Sequence, residues 1–313
     1  MRAQAGGPAR PFLKWAGGKS QLLQRFQDYY PAALHQGRIR RYVEPFVGSG
    51  AVLFHLLERH RFDDVLIVDR NPALMTAYEV IQRDVESLID ALDALQARFW
   101  SRAGSDRADL YQMVREEYNR GTDEPVRRAA LLIFLNRTCF NGLYRVNRAG
   151  AFNVPMGRYD RPLICDRDNL RQVHRTLENV SLLTGEYSEA EAYIDEATFV
   201  YFDPPYRPLS ATASFTAYHP GVFTDADQEH LATFFRRMSE RGACVMLSNS
   251  DPKNIDPGDT FFDRLYAGFS IDRLPARRAI NARADRRGAI TELVITNYAP
   301  RGTAAQPAEE HPA

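Results

Sequence analysis

The apolar run Thr198-Phe-Val-Tyr-Phe202 runs directly into Asp203-Pro204-Pro205-Tyr206, and this junction narrows the possible folds more than any other stretch. Five β-branched and aromatic residues without polar alternation predict a buried strand. Two consecutive prolines can extend neither a strand nor a helix, so the strand must stop at Asp203. In open α/β sheets the carboxyl ends of the strands form the ligand-binding edge. The stop therefore gathers a carboxylate, two carbonyl-bearing rigid rings and one aromatic ring at that edge.

The surrounding pattern supplies the rest of such a sheet. Residues 41–46 predict a strand that runs into a glycine turn, and 51–59 a helix with Val52, Leu53, Leu56 and Leu57 on one face. Residues 64–69 predict a second strand, followed by a helix with Pro72 at its first position. This β-α-β-α order implies a parallel sheet. Strands over 198–203 and 243–249, with a helix over 225–241 between them, extend it. Residues 261–274 and 290–298 predict a terminal antiparallel pair.

A stretch of different character interrupts this pattern. Residues 85–98, 106–120 and 125–139 predict helices, and 141–155 predict a hairpin whose Asn-Gly and Ala-Gly steps flank arginines. The expected fold is α/β: a Rossmann-like sheet with an inserted, mostly helical domain carrying a β-hairpin. The expected division is 1–84 and 176–299 for the two parts of the catalytic domain, 85–175 for the insertion, and 300–313 for a disordered tail.

Composition excludes several classes. No apolar run reaches the ~20 residues of a membrane span, and the first ten residues lack the apolar core of a secretory signal. Cys139, Cys165 and Cys244 form neither a disulfide framework nor a metal-binding spacing, which points to a reducing, cytoplasmic setting. His219 and His230 have no ligand spacing either, and no metal is expected. The zero net charge conceals an asymmetry. Residues 127–175 hold ten arginines and three aspartates, a net of +7, and 273–288 hold six arginines and one aspartate, a net of +5. Two basic segments on an acidic body suit a localised polyanion contact.

The motifs divide the chemistry between them. Glu44-Pro-Phe-Val-Gly48-Ser-Gly50 lies between a strand and a helix, where glycines let the backbone approach a ligand. It lacks the three-glycine dinucleotide pattern, which favours a cofactor with a carboxylate and a nucleoside over one with a pyrophosphate. Asp69, closing the second strand, is placed to accept ribose hydroxyls. Gly17-Gly18-Lys19-Ser20 has only the end of a phosphate loop, so it predicts a cap over the cofactor, with Trp15 packing and Lys19 pairing with the cofactor's carboxylate. At the proline junction, the Asp203 carboxylate and the Pro204 carbonyl can draw both N–H bonds of a planar exocyclic amino group out of the ring plane. That relocalises the nitrogen lone pair towards an electrophile, while Tyr206 stacks on the base.

In order along the chain stand Phe12-Leu-Lys-Trp-Ala-Gly-Gly-Lys19, Tyr42-Val-Glu-Pro-Phe-Val-Gly-Ser-Gly50, Leu135-Asn-Arg137, Asn141-Gly-Leu-Tyr-Arg145, Phe152-Asn-Val-Pro-Met-Gly-Arg-Tyr159 and Asp203-Pro-Pro-Tyr206. Together they resemble the Dam-type DNA adenine-N6 methyltransferases, alpha-group enzymes that use S-adenosylmethionine and release S-adenosylhomocysteine. The resemblance covers roughly residues 10–298, including Pro208–Tyr218, and is weakest over 278–287. It implies that Trp15, Lys19, Asp69 and Asp203 contact the cofactor, with Glu44, Phe46, Gly48 and Gly50 lining its pocket. It implies that Asp203, Pro204, Pro205 and Tyr206 hold a flipped adenine. Asn141, Leu143, Arg145, Pro155 and Tyr159 match the hairpin that reads GATC, and Lys14 a further base contact. Asn147 and Arg158 in the same segments complete the expected DNA-contact set. The implied activity is site-specific methylation of adenine N6 in double-stranded DNA, by an enzyme of the cytoplasm and nucleoid with no protein partner implied. The competing readings are methylation of cytosine N4, of RNA adenine or of a protein amide, and sequence-specific DNA binding without catalysis.

Overall fold

The computed structural model describes residues 7–15, 19–207, 223–276 and 290–300. The segments 208–218 and 278–287, and His219, lie outside the described residues. The core is a seven-stranded sheet in the order β3-β2-β1-β4-β5-β7-β6, formed by β1 (Arg41–Pro45), β2 (Asp64–Asp69), β3 (Val180–Thr184), β4 (Thr198–Phe202), β5 (Cys244–Ser250), β6 (Ser270–Ala276) and β7 (Ile290–Thr296). β1 pairs in parallel with β4, β2 with β3 and β4 with β5, whereas β7 runs antiparallel to both β5 and β6. The strand order reverses after β1, which makes the carboxyl ends of β1 and β4 the switch point of the sheet. This is the expected α/β architecture.

The helices are α1 (Leu23–Phe26), α2 (Ala32–His35), α3 (Ala51–Arg59), α4 (Pro72–Arg83), α5 (Val85–Trp100), α6 (Gly104–Arg120), α7 (Pro125–Thr138), α8 (Arg167–Leu177), α9 (Asp225–Glu240) and α10 (Phe261–Leu265). Two compact units divide the chain. The first comprises Met1–Ser20, Glu44–His60 and Asp64–Ala190, and the second Gln21–Val43, Arg61–Asp63 and Glu191–Ala313. The expected insertion, 85–175, falls wholly within the first unit.

In the first unit α7 is the central helix. Ala129 to Asn136 are buried without interruption, and α4, α5 and α6 pack around it. A helix apolar on all sides is one surrounded by others. α4 begins cleanly because the Asn71 side chain accepts the amides of Ala73 (3.1 Å) and Leu74 (3.3 Å) ahead of Pro72. In the second unit every residue of β4 is buried. α9 starts on a capping box: the Thr224 hydroxyl accepts the Asp227 amide, and the Asp227 carboxylate accepts the Thr224 amide. None of the helices described is long and apolar enough to cross a membrane. Cys139, Cys165 and Cys244 are free thiols.

Four elements depart from the sequence expectations. β3 and α8 were not foreseen. Residues 261–274 do not form one strand: the Asp259 carboxylate accepts the Phe261 amide (2.8 Å) and starts α10, so strand geometry begins only at Ser270. The hairpin after α7 has only two isolated bridges, Cys139 with Met156 and Val146 with Phe152. Its inner strand turns instead to α6. Asn119 receives the Phe152 amide (2.7 Å) and donates to the Phe152 carbonyl (3.0 Å), while the Tyr111 hydroxyl donates to the Val154 carbonyl (2.7 Å). Side chains thus hold backbone groups that a longer ladder would use. Residues 19–21 form a short 3-10 turn, followed by α1.

Candidate functional site

In the first unit, the loop after β1 places three residues at positive φ within five positions: Phe46 (72°), Gly48 (49°) and Gly50 (72°). Glycine reaches such values without cost, but Phe46 does not, so its backbone must be held. The Phe46 and Val47 amides both donate to the Val68 carbonyl, at 2.9 and 3.1 Å. The Phe46 ring also stacks on Tyr187, with centroids 5.4 Å apart. Tyr187, just beyond β3, was assigned no role from the sequence. Nothing before the fold was known could bring it beside Phe46.

Asp69 organises this loop. Its carboxylate accepts the Gly48 amide at 3.1 Å and the Asn71 amide at 2.9 Å. Burial pushes its pKa above the ordinary carboxylate range, against the opposing pull of those two amides and of Arg70. The Tyr78 hydroxyl donates to the Gly48 carbonyl (3.0 Å). Burial raises the Tyr78 phenol well above its ordinary value, with Glu44 and Asp69 adding to the shift, so it stays a neutral donor. Glu44 and Lys19 are both buried. A Cβ added at Gly48 would lie 3.0 Å from Trp15 Cδ1, and one at Gly50 would lie 2.7 Å from the Tyr78 oxygen. Both glycines are therefore required by space as well as by φ.

The N-terminal segment that carries Trp15 is fastened by side chains. Asn169 receives the Arg10 amide and donates to the Arg10 carbonyl, both at 3.0 Å. Arg137 donates to the Phe12 carbonyl (2.8 Å). Asn136 receives the Lys14 amide and donates to the Lys14 carbonyl, both at 2.8 Å, and donates also to the Gly142 carbonyl (2.9 Å). Trp15 stacks on Tyr144, with centroids 5.3 Å apart and planes at 21°. The Lys14 ammonium lies 4.7 Å from the Tyr159 ring centroid. Asn136 lies within the Leu135-Asn-Arg137 motif, but its structural role is visible only in three dimensions.

The residues expected to touch DNA occupy the same stretch with different freedoms. Asn141 is exposed at φ 55°, beside an exposed Phe140 that the sequence reading left aside. Leu143 is half-buried, and Pro155 and Arg158 are exposed. The Pro155 carbonyl receives the Phe140 amide (2.9 Å). Arg145 is exposed, and its Nε donates to Asn153 (2.7 Å). The Asn147 side-chain oxygen is taken by the amides of Ala149 and Ala151, both at 3.0 Å, so it closes the hairpin turn. The basic count over 127–175 also shrinks in three dimensions. Arg127 pairs with Glu117, Arg167 with Asp93 and Arg171 with Glu86, all acids outside the segment.

In the second unit, every turn of the proline junction has its own support. The Ser248 hydroxyl, itself 2.7 Å from the Tyr201 hydroxyl, lies 3.3 Å from the Asp203 carboxylate. Pro204 is buried. The Pro205 carbonyl accepts Nε2 of fully buried Gln228 (3.2 Å). The Tyr206 hydroxyl donates to Glu292 on β7 (2.9 Å). Arg207 donates to both carboxylate oxygens of Asp225 (2.7 and 2.9 Å) and to Asp259 (2.7 Å), with its guanidinium 4.1 Å from the Phe261 centroid. Ser248, Gln228 and Arg207 had no assigned role from the sequence, since their partners are remote in the chain. Such an arrangement fixes hydrogen-bond acceptors and a ring in one orientation, which suits gripping a flat amino-bearing ligand. Among the described residues no group of three or more His, Cys, Asp or Glu is placed to hold a metal ion. His230 is exposed on α9.

Residues 15–280 match the D12 class N6 adenine-specific DNA methyltransferase family. The chain is 48% identical over 292 residues to the type II methyltransferase M.MjaIII of Methanocaldococcus jannaschii, covering 92% of this chain and 99% of that one. It is 35% identical over 296 residues to the type II methyltransferase M1.LlaDCHI of Lactococcus lactis, covering 92% and 95%. It is also 35% identical over 286 residues to the DNA adenine methylase of Escherichia coli K12, covering 91% and 94%.

Proposed function

Because the chain belongs to the D12 class of N6 adenine-specific DNA methyltransferases, we propose that it transfers the methyl group of S-adenosylmethionine to adenine N6 within GATC in duplex DNA. The observation that carries this reading is the fourfold support of Asp203-Pro-Pro-Tyr206 by Ser248, Gln228, Glu292 and the Arg207 clamp. With the Pro205 carbonyl engaged by Gln228, the acceptors for the amino group are the Asp203 carboxylate and the Pro204 carbonyl. They draw the two N–H bonds out of the base plane and localise the lone pair on nitrogen. Tyr206, steadied through its hydroxyl by Glu292, offers its face to the base, a contact worth ~1–3 kcal/mol. Extruding the adenine from the stack costs a few kcal/mol. The proton leaves after the nitrogen becomes cationic, so no dedicated general base is needed.

The first unit has the donor set for the cofactor. S-adenosylmethionine supplies an electrophilic methyl on a sulfonium, together with a carboxylate and ribose hydroxyls. At the proposed cradle Gly48 lets Trp15 pack directly against the loop backbone, and each Asp69 oxygen keeps a lone pair beyond its amide bond. Asp69 takes the ribose hydroxyls and Lys19 the carboxylate. Trp15, Glu44, Phe46, Gly48 and Gly50 shape the walls, with Asp203 as a further contact. Residues 85–175 act as the target-recognition part. Lys14, Asn141, Leu143, Arg145, Pro155, Arg158 and Tyr159 face the duplex, whereas Asn147 serves through the turn it closes. The resemblance of this hairpin to that of the Dam-type enzymes supports GATC, as does the fit of an arginine fork to guanine O6 and N7.

The test is transfer of tritiated methyl from S-adenosylmethionine to duplexes with GATC or a scrambled core, followed by mass analysis of the digested bases. Label in N6-methyladenine from the GATC duplex alone is expected, and equal labelling of both duplexes would defeat the site assignment. Asp203→Ala should abolish transfer in a single-turnover assay. Near-normal turnover would defeat its role.

A further inference from the structure

Tyr144 sits inside the recognition hairpin, yet its ring packs on the residue that walls the glycine loop. We infer that Tyr144 is a positioning residue that couples the duplex-reading hairpin to the cofactor cradle through its stack on Trp15, so that a GATC duplex tightens cofactor binding. The inference rests on the proposed cofactor and duplex assignments.

Trp15 is held on two sides. On one side is the Gly48 backbone, so close that an added Cβ would lie 3.0 Å from Trp15 Cδ1 and 3.3 Å from Nε1. On the other is Tyr144, 5.3 Å between centroids and only 21° from parallel. Offset-stacked rings hold one another's tilt as well as their separation. Tyr144 is braced in turn, since its ring lies 6.0 Å from the Phe152 ring, which itself packs edge-on against Tyr118 of α6 at 6.1 Å. A displacement of the hairpin at residue 144 therefore cannot be absorbed locally and is passed to Trp15.

A second set of contacts ties the same two places together. Lys14, next to Trp15, places its ammonium over Tyr159 beyond the far strand of the hairpin. Asn136 binds both backbone groups of Lys14 and also the Gly142 carbonyl at the root of the near strand. Gly142 has φ +65°, and an added Cβ there would strike the Lys14 side chain. Adjacent residues of one segment thus engage both sides of the hairpin, and the second of them lines the cradle. All of these residues belong to the first unit.

Coupling of this kind is reciprocal: whatever factor the duplex adds to cofactor affinity, the cofactor adds to duplex affinity. The experiment is titration calorimetry with S-adenosylhomocysteine as probe, with and without a short duplex carrying one GATC, on the wild type, Tyr144→Leu and Tyr144→Phe. Wild type should bind the probe about fivefold or more tightly with the duplex present, the low end of ordinary coupling. In Tyr144→Leu the factor should fall to about one, and Tyr144→Phe, which keeps the ring, should restore it. A role confined to stability would not move that ratio. An unchanged factor in Tyr144→Leu overturns the inference, as does a factor of one in a wild type that binds both ligands. Failure of the wild type to bind the probe or to prefer GATC would instead overturn the underlying assignments. If Tyr144→Leu does not fold, the duplex must still alter Trp15 emission, taken as the difference between wild type and Trp15→Phe. An unaltered difference overturns the inference.

Discussion

Replacing Arg207 by Gln tests whether the proline junction is held in place or merely ends there. The guanidinium is 19% exposed, and its three hydrogen bonds reach two carboxylates of unequal burial: Asp259 at 22% and Asp225 at 51% exposure. The Asp225 arm faces solvent and is discounted to about 0.2–1 kcal/mol. The Asp259 arm is shielded, and a hydrogen bond to a charged group contributes about 1.5–3 kcal/mol. The guanidinium over Phe261 adds about 0.5–1 kcal/mol. The expected loss is about 2–5 kcal/mol in urea unfolding at neutral pH, or about 1–2.5 M in midpoint at a urea slope of about 2 kcal/mol per M. A double-mutant cycle isolates the shielded arm. Asp259→Asn removes the charge but keeps the Oδ1 acceptor for the Phe261 amide, so α10 retains its start. A coupling of at least about 1 kcal/mol between the two substitutions is expected. Single effects that add within about 0.5 kcal/mol would refute the clamp. So would a loss in Arg207→Gln of less than about 1 kcal/mol, the ordinary effect of a surface change.

Three further outcomes follow from the same geometry. Arg145→Ala should relax the choice of guanine before the target adenine by about 1–3 kcal/mol in relative kcat/KM, with S-adenosylhomocysteine affinity unchanged; equal selectivity in mutant and wild type would show that Arg145 does not read the base. With the adenine extruded as proposed, Phe140, 51% exposed next to Asn141, would serve as an apolar wedge for the open stack. Phe140→Ala should reduce base opening, read as fluorescence of 2-aminopurine at the target, and an unchanged signal removes it from that role. His55 is 8% exposed, and burial first, then Arg59 and His60, depress its pKa to about 4 against the pull of Glu58. The folded state therefore favours the neutral ring. Stability from this group is complete above the unfolded value of about 6.5 and is lost as pH falls through about 4, a span worth about 3 kcal/mol. His55→Gln should flatten acid unfolding across that window, and an unaltered profile would show that His55 does not govern it.

The sequence was most legible where a periodic segment met a conformational stop. β1, α3, β2 and α4 follow from apolar spacing, the glycine turn and Pro72, and β4 follows from its proline terminus. β3 escaped because it is only partly buried: Val180 alone of its five residues is fully covered, so neither an apolar run nor a clean alternation marks it. α8 carried a readable signal in Leu170, Val173 and Leu177, all buried, but lay within a stretch taken for its arginines. The charge count misled for a related reason. Arg127, Arg167 and Arg171 are neutralised by acids on α6 and α5, and net charge over a window knows nothing of such partners. At the proposed site, residues with unusual local chemistry could be named in advance: the prolines, the glycines and the strand-ending aspartates. Those that matter by what they touch could not. Gln228, Ser248, Asn136 and Tyr187 are ordinary residues in ordinary segments until folding supplies Pro205, Asp203, Lys14 and Phe46 as neighbours.

The segment from Arg10 to Lys14 lacks strand partners, and side chains of Asn169, Arg137 and Asn136 bind its backbone at alternate residues. A strand in a sheet is lost only with its neighbours, but a segment moored by three side chains can detach while every ladder stays intact. Its opening free energy is then a local quantity, below that of global unfolding. Lys14 and Trp15 travel with it. Asn136 is the mooring nearest to both, so its change adjusts how often they are in place without touching the sheet.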